Sequence, residues 1–251
     1  KMSTRPAFPS SDRLASVRVR TGSVMQRAYK QIVSVGYGAV LNVRNLSVAV
    51  LMTAGFAQAE TITIAALGDS LTAGYGLAQA DGFVPQLQAW LDEEGADAVV
   101  VNAGVSGDTT AGGLSRVDWT LTPEVDAMIV TLGGNDYLRG LDPLVSRQNL
   151  DGILAAGQAA EVEMLLVGLQ VGSNYGLDYK SAFEGMYVEL ANKYQVPLYP
   201  DFAAGLRAVA GMQEGMSEFM QPDGIHPNAE GVSVIVAAMG PKVLDLVQAV
   251  D

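Results

Sequence analysis

Thr61-Ile62-Thr63-Ile64-Ala65-Ala66-Leu67-Gly68-Asp69-Ser70-Leu71-Thr72 is a β-rich apolar run that stops at Gly-Asp-Ser and passes into small residues. Such a run reads as a buried strand delivering a serine to a strand-to-loop junction. Open α/β sheets bind ligands there, beyond the carboxyl ends of their strands. Three later segments are composed as if to serve that serine: Ser106-Gly107-Asp108, Gly133-Gly134-Asn135-Asp136 and Asp223-Gly224-Ile225-His226-Pro227.

The rest of the chain repeats the opening pattern. Apolar runs at 98–102, 126–132, 162–169 and 196–200 read as four more strands, the last moved toward a sheet edge by Pro197 and Pro200. Between them, apolar residues fall at helical spacing. Phe83, Leu87, Trp90 and Leu91 mark one helix, with Gly95 as its stop. An Asp108/Thr109 cap opens a second through Leu114 and Val117, and 144–158 forms a third. The helix at 179–194 carries Phe183, Met186, Tyr187 and Leu190 on one face. A last helix spans 228–250, where Gly240-Pro241 is expected to kink or split it. Residues 72–76 read as flexible and 203–220 as irregular helix or lid, with Met212, Met216 and Met220 filling gaps in the core. Strand and helix thus alternate five times, which predicts an α/β fold: a parallel sheet of about five strands covered on both faces, most simply in flavodoxin-like order.

Charge divides the chain at one point. Residues 1–59 hold eight Lys/Arg and one acid, a balance of +7. Residues 60–251 hold seven against twenty-six, a balance of −19, and the two sum to the overall −12. At the junction Arg44 precedes the apolar run Leu46 to Phe56, followed by Ala57-Gln58-Ala59 and Glu60. A basic flank, a short apolar core and small-x-small are what a signal peptidase reads. The expectation is a cleaved secretory leader over 1–59, starting at Met2 or Met25, and one domain over 60–251. The acidic domain disfavours nucleic acid and stable adhesion to anionic membranes. The chain has no cysteine, so disulfide and thiol chemistry are excluded.

A serine hydroxyl is a weak nucleophile until a base takes its proton, and imidazole titrates near neutrality. His226 is the one histidine, so a histidine-assisted serine enzyme has one available base. Asp223, three residues earlier, lies within reach of a ring nitrogen and would fix the tautomer. Taken alone, the pair also fits a capping Asp and a surface His. An oxyanion hole needs donors aimed at developing charge; the Ser70 N–H, the Gly107 N–H and the Asn135 side-chain amide are the candidates. Other chemistries lack their residues. There is no Gly-x-Ser-x-Gly elbow, no Walker lysine, and Gly74-Tyr75-Gly76 lacks the third glycine of a dinucleotide site. A catalytic zinc wants about three protein ligands, and Asp223 and His226 have no second His or Cys beside them.

The segments Gly68-Asp69-Ser70-Leu71, Ser106-Gly107-Asp108-Thr109, Gly133-Gly134-Asn135-Asp136 and Asp223-Gly224-Ile225-His226-Pro227-Asn228 resemble, in order and spacing, the four blocks of the GDSL/SGNH hydrolase family. The likeness is greatest to its bacterial periplasmic thioesterase, lysophospholipase and arylesterase branch, and it covers 60–251. It implies a three-layer α/β/α sandwich with Ser70 as nucleophile, His226 as base and Asp223 as its orienting acid. It also implies Ser70, Gly107 and Asn135 as oxyanion donors, no metal or cofactor, and export to the periplasm. Gly172-Ser173 stands where relatives tend to carry proline, which gives the backbone bordering the acyl pocket more freedom.

The expected activity is hydrolysis of a small-molecule acyl ester or thioester by a monomer or weak oligomer. Tyr75, Leu77, Tyr137, Leu138, Val171 and Tyr175 are the expected pocket walls. A carbohydrate O-acetylesterase, an acyltransferase, and a binding protein that keeps the fold without turnover are the alternatives.

Overall fold

The computed structural model describes residues 61–210 and 216–250. The leader expected over 1–59 and Met212 lie outside the described residues. Five strands, β1 (Ile62–Gly68), β2 (Ala98–Gly104), β3 (Ala127–Thr131), β4 (Glu163–Val167) and β5 (Leu198–Tyr199), form one sheet in the order β2-β1-β3-β4-β5. Every pairing is parallel. This is the flavodoxin-like order, and β5 is a two-residue edge strand bracketed by its prolines. Among the described residues the α-helices are α1 (Ser70–Ala73), α2 (Phe83–Glu93), α3 (Thr110–Thr120), α4 (Gly134–Leu138), α5 (Pro143–Ala159), α6 (Leu177–Tyr194), α7 (Ala204–Ala210) and α8 (Ala229–Ala249).

Alternation along the strands divides the core in two. Ile64, Ala66, Ile129, Leu165 and Val167 face a cluster closed by α2 and α8. Ala65, Leu67, Met128, Val130 and Leu166 face one closed by α3, α5 and α6, including Phe183, Met186, Tyr187 and Leu190. Strands buried on both faces read as continuous apolar runs, as β1 and β3 do. Each large side chain withdrawn from water contributes roughly 1.5–3 kcal/mol. The outer edge of β2 is blunted by a side chain rather than a strand. The Gln88 amide accepts from the Val100 N–H at 2.7 Å and donates to the Ala98 carbonyl at 2.8 Å, occupying groups that another strand would otherwise use.

Two local readings need correction. Helix α8 runs unbroken through Gly240-Pro241. Proline removes one helical hydrogen bond, but Val236, Met239, Val243 and Leu246 are buried on both sides of it and hold the two halves in line. Gly240 serves packing: a Cβ there would come within 2.6 Å of the Trp90 ring. Among the described residues α8 alone is long and apolar enough to cross a membrane, yet its apolar stripe lies in the core. The second correction concerns Ser70 and Asn135, expected on loops. Each sits in a short helical turn, α1 and α4, and the supposedly flexible 72–76 begins as the end of α1, closed by Gly74 in the left-handed region. Met216 and Met220 do pack against the core.

Candidate active site

Register explains why distant segments meet. Gly68 at the end of β1 pairs with Gly104 of β2 on one side and Thr131 of β3 on the other. Ser70, Gly107 and Asn135 follow those three partners by two, three and four residues, so they leave one sheet edge together. It is the β1/β3 switch point, where this topology opens a crevice.

The Asp69 side chain caps α1, accepting the Leu71 N–H at 3.0 Å, and so sets the turn that presents Ser70. Opposite it, the 223–228 loop is held at both ends. Met220 and Pro227 form a β-bridge, and Asn228 caps α8 through the Gly231 N–H at 2.9 Å. Within the loop Asp223 accepts the backbone N–H groups of Ile225 (2.9 Å) and His226 (3.0 Å) on one oxygen. Its other oxygen lies 2.6 Å from His226 Nδ1, and His226 Nε2 lies 2.8 Å from Ser70 Oγ. The backbone N–H of His226, then its ring, then the Ile225 N–H hold the Asp223 carboxyl down at about 2. An ionised Asp223 favours the tautomer that carries the proton on Nδ1, which leaves Nε2 to accept from the serine. The Tyr75 ring lies 4.8 Å from the imidazole.

The donor side is built differently. Gly107 has a φ of +87°, a conformation that favours glycine, and its carbonyl is held by Arg139 Nη2 at 2.8 Å. Arg116 fastens the root of the same loop. Its guanidinium reaches Asp108 (2.7 Å), the Ala103 carbonyl (2.7 Å) and the Gly68 carbonyl (2.8 Å), tying the ends of β1 and β2 together. Fully buried Asp136 accepts from the Thr110 N–H (2.8 Å), the Thr110 hydroxyl (2.6 Å) and the Ser146 hydroxyl (2.9 Å). That fixes α4, and with it Asn135, against the start of α3. The Asn135 amide donates to the Asp108 carbonyl at 2.9 Å and toward Asp69 Oδ2 at 3.4 Å. Among the described residues, the Ser70 and Gly107 N–H groups have no protein acceptor.

The expected walls separate. Tyr137, Tyr175 and Leu138 gather beside Asn135: the two rings meet edge-on at 5.8 Å, and the Tyr137 hydroxyl donates to Asn174 at 3.1 Å. Val171 is buried against the same cluster. Tyr75 stands over His226. Leu77 lines a cleft of about 490 Å³ with Ala73, Val84, Pro85, Val100 and Asn102, which Ser70 does not line. Sequence reading passed over Asp69, Arg116, Asp136 and Arg139. Arg116 and Arg139 had one signal, being two of only seven cations in a strongly acidic domain. Among the described residues no cluster of three or more His, Cys, Asp or Glu is arranged to hold a metal.

Serine, imidazole and carboxylate in one hydrogen-bonded line at the carboxyl edge of a parallel sheet is the arrangement used by serine hydrolases. The chain belongs to the GDSL-like lipase/acylhydrolase family, whose model matches residues 66–234, and it is a carboxylic ester hydrolase. Esterase TesA of Pseudomonas aeruginosa is 43% identical over 171 residues, 68% of this chain and 82% of that protein. Thioesterase 1/protease 1/lysophospholipase L1 of Escherichia coli K12 is 38% identical over 201 residues, 79% of this chain and 90% of that protein. A crystal structure of TesA superposes with a TM-score of 0.66 at 38% identity, covering 73% of this chain and 99% of the other.

Proposed function

We propose that the domain is secreted and hydrolyses small acyl esters or thioesters through an acyl-Ser70 intermediate. The observation that carries this reading is the continuous line from Asp223 through His226 to Ser70, 2.6 Å and 2.8 Å long.

Ser70 Oγ attacks the carbonyl carbon of the substrate while His226 Nε2 takes its proton. The imidazolium so formed is stabilised by Asp223. The carbonyl oxygen becomes an oxyanion, and the Ser70 N–H, the Gly107 N–H and the Asn135 amide donate to it. Collapse breaks the bond to the alcohol or thiol, which leaves with the proton from His226. A water then attacks the acyl-serine, gives its proton to Nε2, and a second collapse returns the proton to Ser70 and releases the acid. The shelf of Tyr137, Tyr175 and Leu138 lines the acyl side, with Tyr75 flanking the base. Secretion rests on the leader pattern before Glu60. The monomer is taken as the working unit because nucleophile, base and all three donors come from one chain.

Hydrolysis of p-nitrophenyl esters from acetyl to palmitoyl, beside an acyl-CoA, tests the assignment. Turnover should vanish in Ser70→Ala with the circular dichroism spectrum unchanged. Unchanged activity in that variant refutes the role of Ser70.

A further inference from the structure

A carboxamide presents two ends of nearly the same shape, and only its NH2 end stabilises an oxyanion. Turned over, Asn135 would offer an acceptor oxygen to a developing negative charge, so something must define which way round it sits. Two acceptors converge on Nδ2: the Asp108 carbonyl at 2.9 Å and Asp69 Oδ2 at 3.4 Å. We propose that Asp69 is a positioning residue for the oxyanion donor, its acceptor-only carboxylate keeping the NH2 end of Asn135 toward the reacting carbonyl. This rests on the reading of Asn135 as an oxyanion donor.

The capping role of Asp69 does not account for a carboxylate at this place. A serine or threonine would accept the Leu71 N–H as well. Burying a carboxylate without a cation is costly, and Asp69 is 2% exposed. No cation pairs with it among the described residues: six of the seven Lys/Arg of 61–250 sit beside other carboxylates, and Arg139 binds the Gly107 carbonyl. Burial accordingly pushes its carboxyl up to about 6, against the pull of the Leu71 N–H, His226 and the Asn135 amide. What an ionised carboxylate adds is discrimination. A hydroxyl both donates and accepts, so it would tolerate either end of the amide, whereas a carboxylate accepts only. Its two oxygens also serve Leu71 and Asn135 at once. At 3.4 Å the second contact is long for a hydrogen bond, so it orients the amide while leaving that proton free for the oxyanion.

Gly134 is part of the fit, since a Cβ there would stand 3.1 Å from Asp69 Oδ2. One residue thereby sets both the turn that presents the nucleophile and the direction of the donor that receives the charge.

The test is a double-mutant cycle in the full chain, read with p-nitrophenyl butyrate. Asp69→Asn offers an NH2 to the amide; Asp69→Ser keeps the cap and loses the reach. Each should lower kcat by about tenfold or more with KM within about twofold, because oxyanion stabilisation is confined to the transition state. In an Asn135→Ala background the same substitutions should cost less than about twofold, since neighbours acting through one another are not additive. An undiminished loss in that background overturns the proposal, as does wild-type kcat in both Asp69 variants. If Asn135→Ala itself leaves kcat unchanged, the oxyanion reading has failed, and the proposal with it.

Discussion

The two halves of the site hold a carboxylate each, and the two behave oppositely. On the base side, Asp223 is exposed and accepts three hydrogen bonds from within its own four-residue loop, and it is held down at about 2. On the donor side, Asp69 is buried, has no cation beside it among the described residues, and is pushed up to about 6. The base arm is thus a local device whose parts are adjacent in sequence. The donor arm is tertiary: Gly68, Ala103, Asp108, Thr110 and Asp136 come from three strand ends and are clamped by Arg116 and by the α3 to α4 contact. Orientation is cheap where water helps to solvate the charge, and it costs stability where the charge must be buried.

The contrast is broken most severely at the base. Asp223→Asn removes the acceptor that fixes the His226 tautomer, and kcat should fall by up to about 10⁴-fold with the fold intact. A loss below tenfold would show that His226 is oriented by other groups. Asn135→Ala on the donor side should cost about 10²–10³ in kcat, and a change confined to KM would move the residue to ground-state binding.

The smallest effect sharpens the comparison in stability. Burial pushes the Asp69 carboxyl up to about 6, above the ordinary aspartate value of 3.8. Its contribution to stability is therefore fully present below pH ~4 and lost as pH rises through 6, a penalty of up to about 3 kcal/mol at pH 7.5. Asp69→Asn should melt about 5–10 °C higher than wild type at pH 7.5 by calorimetry, with the difference gone at pH 4. A variant that is both slower and more stable is what a residue retained for function gives. A lower melting temperature at both pH values would contradict it.

Much of this molecule was legible because its signals are periodic or local. Ile64, Ala66, Ile129 and Val130 lie in runs apolar on both faces, and alternation with helices predicted the parallel sheet. Asp223 and His226 were legible because they share one turn. Other features depend on partners far along the chain. Asp136 looks like a turn residue until Thr110 and Ser146 close on it, and Arg116 looks like a solvated helix charge until three strand-end groups meet it. Pro241 misled because the rule that proline breaks a helix is local, while the burial of Val236, Met239 and Val243 that overrides it is not. Leu77 has the right residue type seven positions after Ser70, but it lines another cleft.

The central claim is that the acyl group passes through Ser70. Incubation of the full chain with a p-nitrophenyl alkylphosphonate, followed by intact mass and peptide mapping, tests this most directly. One phosphonyl adduct per chain, mapped to Ser70 and absent from Ser70→Ala, with activity lost in proportion, is the predicted result. Inactivation with the adduct on another residue, or equal labelling of Ser70→Ala, would contradict it.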